Sequence, residues 1–146
     1  IDDVVSMRDL MARERKPRHA FDLKLSTGGL VDLEFIAQSA QLVAFAQIGL
    51  PGAQTGRFLA RLGEIGLVPQ GARLAEIHSV YATILQVMSS ALISPFKDEA
   101  WSPAFKDLLA QLVNYPDFRL LEVDIAAMQQ EVSAAAAAWY ERARKI

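Results

Sequence analysis

Apolar side chains recur at helical spacing along most of the chain, and short breaks rich in glycine, proline and polar residues divide them into segments. Asp2 to Arg15 carries the stripe Val4, Val5, Met7, Leu10 and Met11, with Asp2 and Asp3 at the positive end of the helix dipole. Pro17 stops it, having no amide hydrogen to continue the ladder. From Gly29 to about Ile48 the apolar residues Leu30, Leu33, Phe35, Ile36, Ala37 and Ala40 predict a second helix, closed by Gly49-Leu50-Pro51-Gly52. Thr55 is placed to cap a short helix over residues 56–65, with Gly66 as a left-handed stop. Val68-Pro69 predicts the opening of a long helix whose buried face is Leu74, Ile77, Tyr81, Ile84, Leu85 and Met88, broken over residues 94–99. Ser102-Pro103 starts another helix, to about Val113, and Asn114-Tyr115-Pro116 ends it. Asp117 opens the last, with Leu120, Leu121, Val123, Ile125, Met128 and Val132 turned inward. Ala134 to Ala138 allow close helix contact, Trp139 and Tyr140 anchor the end, and Arg142, Arg144 and Lys145 suit its negative pole.

One stretch breaks the helical rhythm. Phe21 to Leu25 alternate apolar and charged side chains, the pattern of a short half-buried strand. Ser26-Thr27-Gly28-Gly29 interrupt it before the second helix begins, and glycine tolerates backbone angles that other residues avoid. A strand, a glycine turn and a helix in succession can aim backbone amides at an anion. Here the turn has neither a Walker lysine-serine pair nor a Gly-x-Gly-x-x-Gly, so that signal is weak. The pattern as a whole predicts an all-α bundle of about six helices, with room for one short strand near the N-terminus.

Composition narrows the function classes. With 146 residues, 52% of them hydrophobic, the chain suits a single domain with a real core. A net charge of -2 gives no general attraction to nucleic acid or to an anionic membrane. Polar residues interrupt the apolar runs well short of the ~18 residues that a membrane helix needs. The chain has no cysteine, hence no disulfide or thiolate metal site, in keeping with a cytoplasmic location. It begins with Ile1 in what reads as the interior of a helix, so a piece of a longer protein is expected. Arg13, Arg15, Lys16, Arg18 and His19 form a basic patch, but nearby carboxylates offset it and a solvated helix end is the better reading.

Asp22, Asp32 and Glu34 are the carboxylates that invite a catalytic reading, since two metal ions held by carboxylates serve phosphoryl transfer. Asp32 and Glu34, two apart on a helix, diverge by about 200° and do not share an ion. Asp22 and Lys24, two apart on a strand, would share a face and read as an ionic contact rather than a catalytic dyad. His19 and His78 show no zinc spacing, and His78, beside Ile77, reads as a partly buried, hydrogen-bonded histidine. No serine has the setting of a nucleophile elbow.

Asp22-x-Lys24, Gly28-Gly29-Leu30, Asp32-Leu33-Glu34-Phe35 and Gln38 together resemble the signature of the glutamine synthetase adenylyltransferase family. These are large bifunctional bacterial enzymes that add and remove adenylyl groups. Each half has a nucleotidyltransferase domain followed by a helical domain, which the signature opens. Met7-Arg8-Asp9-Leu10-Met11 and the closing segment with Trp139 are collinear with the family, while Ser26 stands where it often has glycine. The resemblance implies that residues 1–20 are a leading helix and linker from a nucleotidyltransferase domain, and 21–146 a helical accessory domain. The family's metal-binding Asp-x-Asp and Gly-Ser turn lie in the catalytic domain, and this chain has neither, so no catalytic residue, metal or cofactor is expected in it.

For the parent enzyme the resemblance implies ATP, magnesium, transfer of AMP to a tyrosine of glutamine synthetase, and regulation of nitrogen metabolism by glutamine and the PII signal protein. The closing Trp139 segment favours the transferase half over the adenylyl-removing half, and a stand-alone helical interaction module is the alternative. Asp22, Lys24, Gly28, Gly29, Asp32, Glu34 and Gln38 are then candidates for docking on the catalytic domain. Apolar surface left uncovered near residues 1–30 is the corresponding expectation.

Overall fold

The fold is taken from a computed structural model that describes residues 1–14, 21–48, 54–91 and 101–146. Six helices follow one another: α1 (Asp2–Glu14), α2 (Leu30–Ile48), α3 (Thr55–Glu64), α4 (Gly71–Ser90), α5 (Pro103–Leu112) and α6 (Phe118–Ala143). The all-α bundle is as the periodicity predicts. The short strand is not: residues 21–29 form a series of turns, and no strand occurs among the described residues. Phe21 and Leu23 are buried and Lys24 is exposed, so the alternation is real. Its backbone groups bond locally, Ser26 N–H to the Asp22 carbonyl at 3.1 Å and Leu30 N–H to the Leu23 carbonyl at 2.6 Å. Apolar alternation specifies which side chains go in, and a strand also needs a partner strand.

α2 is apolar nearly all round, the composition of a helix with neighbours on several sides. It packs on α6, α3, α4 and α1, and sends Leu33, Ile36, Ala37 and Ala40 into the core. Its one buried hydroxyl is accounted for: Ser39 Oγ donates to the Phe35 carbonyl at 2.6 Å and accepts from Trp139 Nε1 at 2.8 Å. Trp139 thus anchors the end of α6 to the middle of α2 while keeping its N–H bonded. At the opposite end, Phe21 stacks on Phe118 with ring centroids 5.4 Å apart, and Trp101 meets Phe21 edge-on at 5.5 Å. These offset and edge-on arrangements suit the aromatic quadrupoles.

Several boundaries differ from the sequence pattern for local reasons. The caps at Ser102 and Asp117 form as expected, accepting from the amides of Phe105 at 3.1 Å and Leu120 at 2.9 Å. Thr55 is already inside α3, whose N-cap is Gln54 without a side-chain bond. α4 starts at Gly71 rather than at Val68-Pro69, because a tight turn after Gly66 brings both Leu67 and Val68 amides onto the Leu62 carbonyl. Leu120 and Val123 of α6 are exposed rather than inward, as are Met7 and Leu10 of α1. In α1 the inner face is Val4, Val5 and Arg8, so the helix is rotated to bury a cation. The exposed Met7 and Leu10 match the uncovered apolar surface expected near the N-terminus, though comparable surface lies on α2, α5 and α6. The predicted break at 94–99, the closing Gly49-Leu50-Pro51-Gly52 and all of the basic patch but Arg13 lie outside the described residues.

α3 and α4 form a closely packed hairpin, made possible by small residues at the crossing. A Cβ built on Gly71 would overlap the Leu59 carbonyl and come within 2.8 Å of the Gly63 Cα. Both obstacles are backbone, so the helices themselves must separate. Gly71→Ala is therefore expected to lower stability by about 1–3 kcal/mol, the range for an overpacked interior. Urea unfolding followed by circular dichroism measures it, and an unchanged midpoint would show that the hairpin has slack.

Candidate functional site

The signature stretch folds into a knot of turns held from every side. Gly28 has φ +77°, a conformation that glycine adopts without penalty. Its amide donates to Asp32 Oδ2 at 2.6 Å, and its carbonyl accepts from the Tyr81 hydroxyl at 2.9 Å. A Cβ on Gly28 would overlap the Gln129 carbonyl of α6, so the backbone of the turn lies directly against that helix. Gly29 is equally confined, with a Cβ there running into the Leu23 carbonyl. Gln129 Nε2 donates to Ser26 Oγ at 3.2 Å. Ser26 is buried and its hydroxyl serves as an acceptor.

Asp32 sits in the first turn of α2, where its charge complements the helix dipole and its carboxylate reaches back to an amide before the helix. The same carboxylate takes Arg8 of α1 in a two-pronged ion pair, Nε to Oδ1 and Nη2 to Oδ2, the latter at 2.9 Å. Both side chains are buried, at 9% and 7% exposure. The Asp32 hydrogen bond raises the Arg8 pKa, against the opposing effect of desolvation. Asp32 is thus a structural hub whose oxygens are occupied, not an open ligand.

The remaining candidates scatter. Lys24 and Gln38 are exposed and Asp22 is half-buried. With no strand, the geometry that would set Asp22 and Lys24 on one face is absent. Glu34 lines a broad groove of about 740 Å³ among α2, α3 and α4, shared with His78. Burial lowers the His78 pKa and the nearby Glu34 opposes that shift. Contrary to the sequence reading, His78 makes no hydrogen bond among the described residues. No cluster of three metal-binding side chains occurs among them either.

The structure therefore gathers Gly28, Gly29 and Asp32 into one unit and leaves Asp22, Lys24, Glu34 and Gln38 outside it. Sequence reasoning missed Arg8, Tyr81 and Gln129, which complete that unit. For Arg8 a signal existed: it falls at i+3 and i+4 from Val5 and Val4, on the inner stripe of α1. Tyr81 sits on the predicted buried face of α4, and a buried tyrosine hydroxyl needs a partner, but nothing in the chain names it.

A family model described as GlnD PII-uridylyltransferase matches residues 6–89. A bifunctional glutamine synthetase adenylyltransferase/adenylyl-removing enzyme of Caulobacter vibrioides is 40% identical over 135 residues, covering 91% of this chain and 14% of the relative. Enzymes of the same name from Mesorhizobium japonicum and Xanthobacter autotrophicus are 33% and 34% identical, each over 89% of this chain and 13% of theirs. The chain spans about a seventh of the length of these relatives. No solved structure matches it.

The Arg8–Asp32 pair makes the strongest local demand on the fold. Arg8→Met would leave a buried carboxylate with the Gly28 amide as its only donor among the described residues. The expected loss is about 3 kcal/mol, the lower end for one half of a broken buried pair. Chemical denaturation of the single variants and of Arg8→Met/Asp32→Leu measures the coupling. Additive effects would show that the two side chains do not depend on each other.

Proposed function

Because the chain belongs to the family described by the GlnD PII-uridylyltransferase model, we propose that it is a non-catalytic helical domain of a larger nucleotidyl-transferring enzyme. Its relatives point to a bifunctional glutamine synthetase adenylyltransferase/adenylyl-removing enzyme, matched over 89–91% of the chain, whereas the uridylyltransferase model stops at residue 89. In this reading the parent enzyme moves AMP from ATP to a tyrosine of glutamine synthetase, with magnesium, under control of glutamine and PII. The chain is the helical domain of the transferase half, with residues 1–20 as its lead-in. No helix among the described residues is long and apolar enough to cross a membrane, in keeping with the proposed cytoplasmic setting.

The observation that carries this reading is the occupied state of Asp32. The described residues do not fit a magnesium–nucleotide site: Asp32 is spent on Arg8 and the Gly28 amide, and Glu34 faces the separate His78 groove. In-line attack on a phosphate depends on positioned charge, which the neighbouring nucleotidyltransferase domain would supply. The signature's glycines and Asp32 then shape a rigid turn, and Lys24 is the exposed cation beside it, free to meet a phosphate or an acidic group of that domain.

Two measurements test the proposal. The chain alone, given ATP, magnesium and glutamine synthetase, is expected to transfer no AMP, and transfer clearly above blank would overturn the non-catalytic reading. In the full enzyme, Lys24→Ala is expected to leave the melting temperature unchanged and lower transfer, while Gly29→Val is expected to lower both. Wild-type transfer by Lys24→Ala would reduce the turn to a structural role.

A further inference from the structure

The ion pair of α1 and the glycine turn share one atom. Asp32 Oδ2 accepts from Arg8 Nη2 at 2.9 Å and from the Gly28 amide at 2.6 Å. The turn closed by that amide carries the exposed Lys24. Its backbone is tied to the start of α2, the Leu23 carbonyl accepting from Leu30 N–H at 2.6 Å and the Lys24 carbonyl from Val31 N–H at 3.0 Å. α1 and α6 are separated by a cleft of about 340 Å³. Its lining includes Arg8, Thr27 and Asp32 together with the exposed Asp9, Glu141 and Arg144, so it reaches solvent. A carboxylate that faces a guanidinium is stable in the interior, whereas the same carboxylate with one neutral donor is strongly disfavoured there.

We propose that the Arg8–Asp32 pair is a joint through which the docking of α1 sets the shape of the Lys24 turn. With Arg8 in place both oxygens of Asp32 are held, and the Gly28 amide has a fixed acceptor. With Arg8 withdrawn, the carboxylate keeps its charge and loses its counter-charge. Rotation towards the solvent of the cleft relieves it, and takes Oδ2 off the Gly28 amide. The turn then loses the bond that sets it on α2. Charge rather than shape carries the coupling, because an asparagine at position 32 would offer the amide an oxygen whether or not α1 is docked. The coupling is a property of this chain. Its consequence rests on the function proposed above: as the lead-in from a catalytic domain, α1 passes its position on to the turn that presents Lys24.

Hydrogen exchange at the Gly28, Leu30 and Val31 amides, read by NMR on this chain, tests the joint whatever the parent enzyme does. Arg8→Met is expected to speed exchange at these amides by about tenfold or more. Arg8→Met/Asp32→Asn leaves no buried charge and is expected to return them to within about threefold of the unaltered chain. Gly71→Ala strains the α3–α4 hairpin instead, and controls for a general loss of stability. Turn amides that do not respond to Arg8→Met, that stay as fast in the double variant, or that respond equally to Gly71→Ala overturn the proposal. If Arg8→Met does not fold, Asp32→Asn decides. It strands Arg8 against a neutral amide, so the α1 amides are expected to exchange about tenfold faster or more while the turn stays within about threefold. Turn amides that speed up along with α1, or α1 amides that do not speed up, overturn it.

Discussion

A single buried carboxylate joins three parts of the molecule that are distant in sequence. Asp32 belongs to α2, bonds the amide of the Gly28 turn and holds Arg8 of α1. Once the Gly28 peptide is fixed by Asp32 on its N–H side, its carbonyl is presented to Tyr81 of α4, and its Cα surface lies against Gln129 of α6. Burying an ion pair is costly, and a hydrophobic replacement is often as stable. What the pair supplies here is registry: one carboxylate specifies how α1, the turn and α2 meet.

The same logic explains why the signature residues resist a catalytic reading. A metal-binding or acid–base carboxylate needs lone pairs directed at a ligand, and those of Asp32 are directed inward. Glu34, two residues on, is carried by helical geometry to a different side of α2, where it shares a groove with His78. The residues that resemble the family motif thus divide into a buried unit that shapes the backbone and a set of exposed or half-buried groups around it. Lys24 and Gln38 are the ones whose exposure suits contact with another domain.

The middle of α2 is held by a different device. Ser39 lies one helical turn beyond Phe35 and satisfies its own hydroxyl on that carbonyl, leaving its oxygen open to the Trp139 indole. α6 is thereby fastened to α2 at Trp139 and lies against the glycine turn at Gln129. Between these two points its small residues Ala135 and Ala136 allow close approach. Among the described residues, α1 is fastened by the buried Arg8–Asp32 pair, the exposed Arg144–Asp2 pair and the packing of Val4 and Val5, and of these polar contacts only the first is buried.

The chain's own order of residues determined most of the helices, the caps at Ser102 and Asp117, and the buried faces of α2 and α4, because these depend on spacing within one segment. It determined, through the Gly28-Gly29 signature, the family to which the chain belongs. It misled at Phe21 to Leu25, where alternation was met by turns rather than a strand, and at Val68-Pro69, where the α3–α4 turn claimed the residues that would have begun a helix. Tertiary structure alone decided that Met7 and Leu10 of α1 face outward, and that Leu120 and Val123 of α6 face solvent. It alone brought Tyr81 and Gln129 to the glycine turn. The physical reason is common to all of these. Periodicity states which positions can be buried together, but a buried charge or hydroxyl is satisfied by whichever group the packing brings to it, and that partner lies elsewhere in the chain.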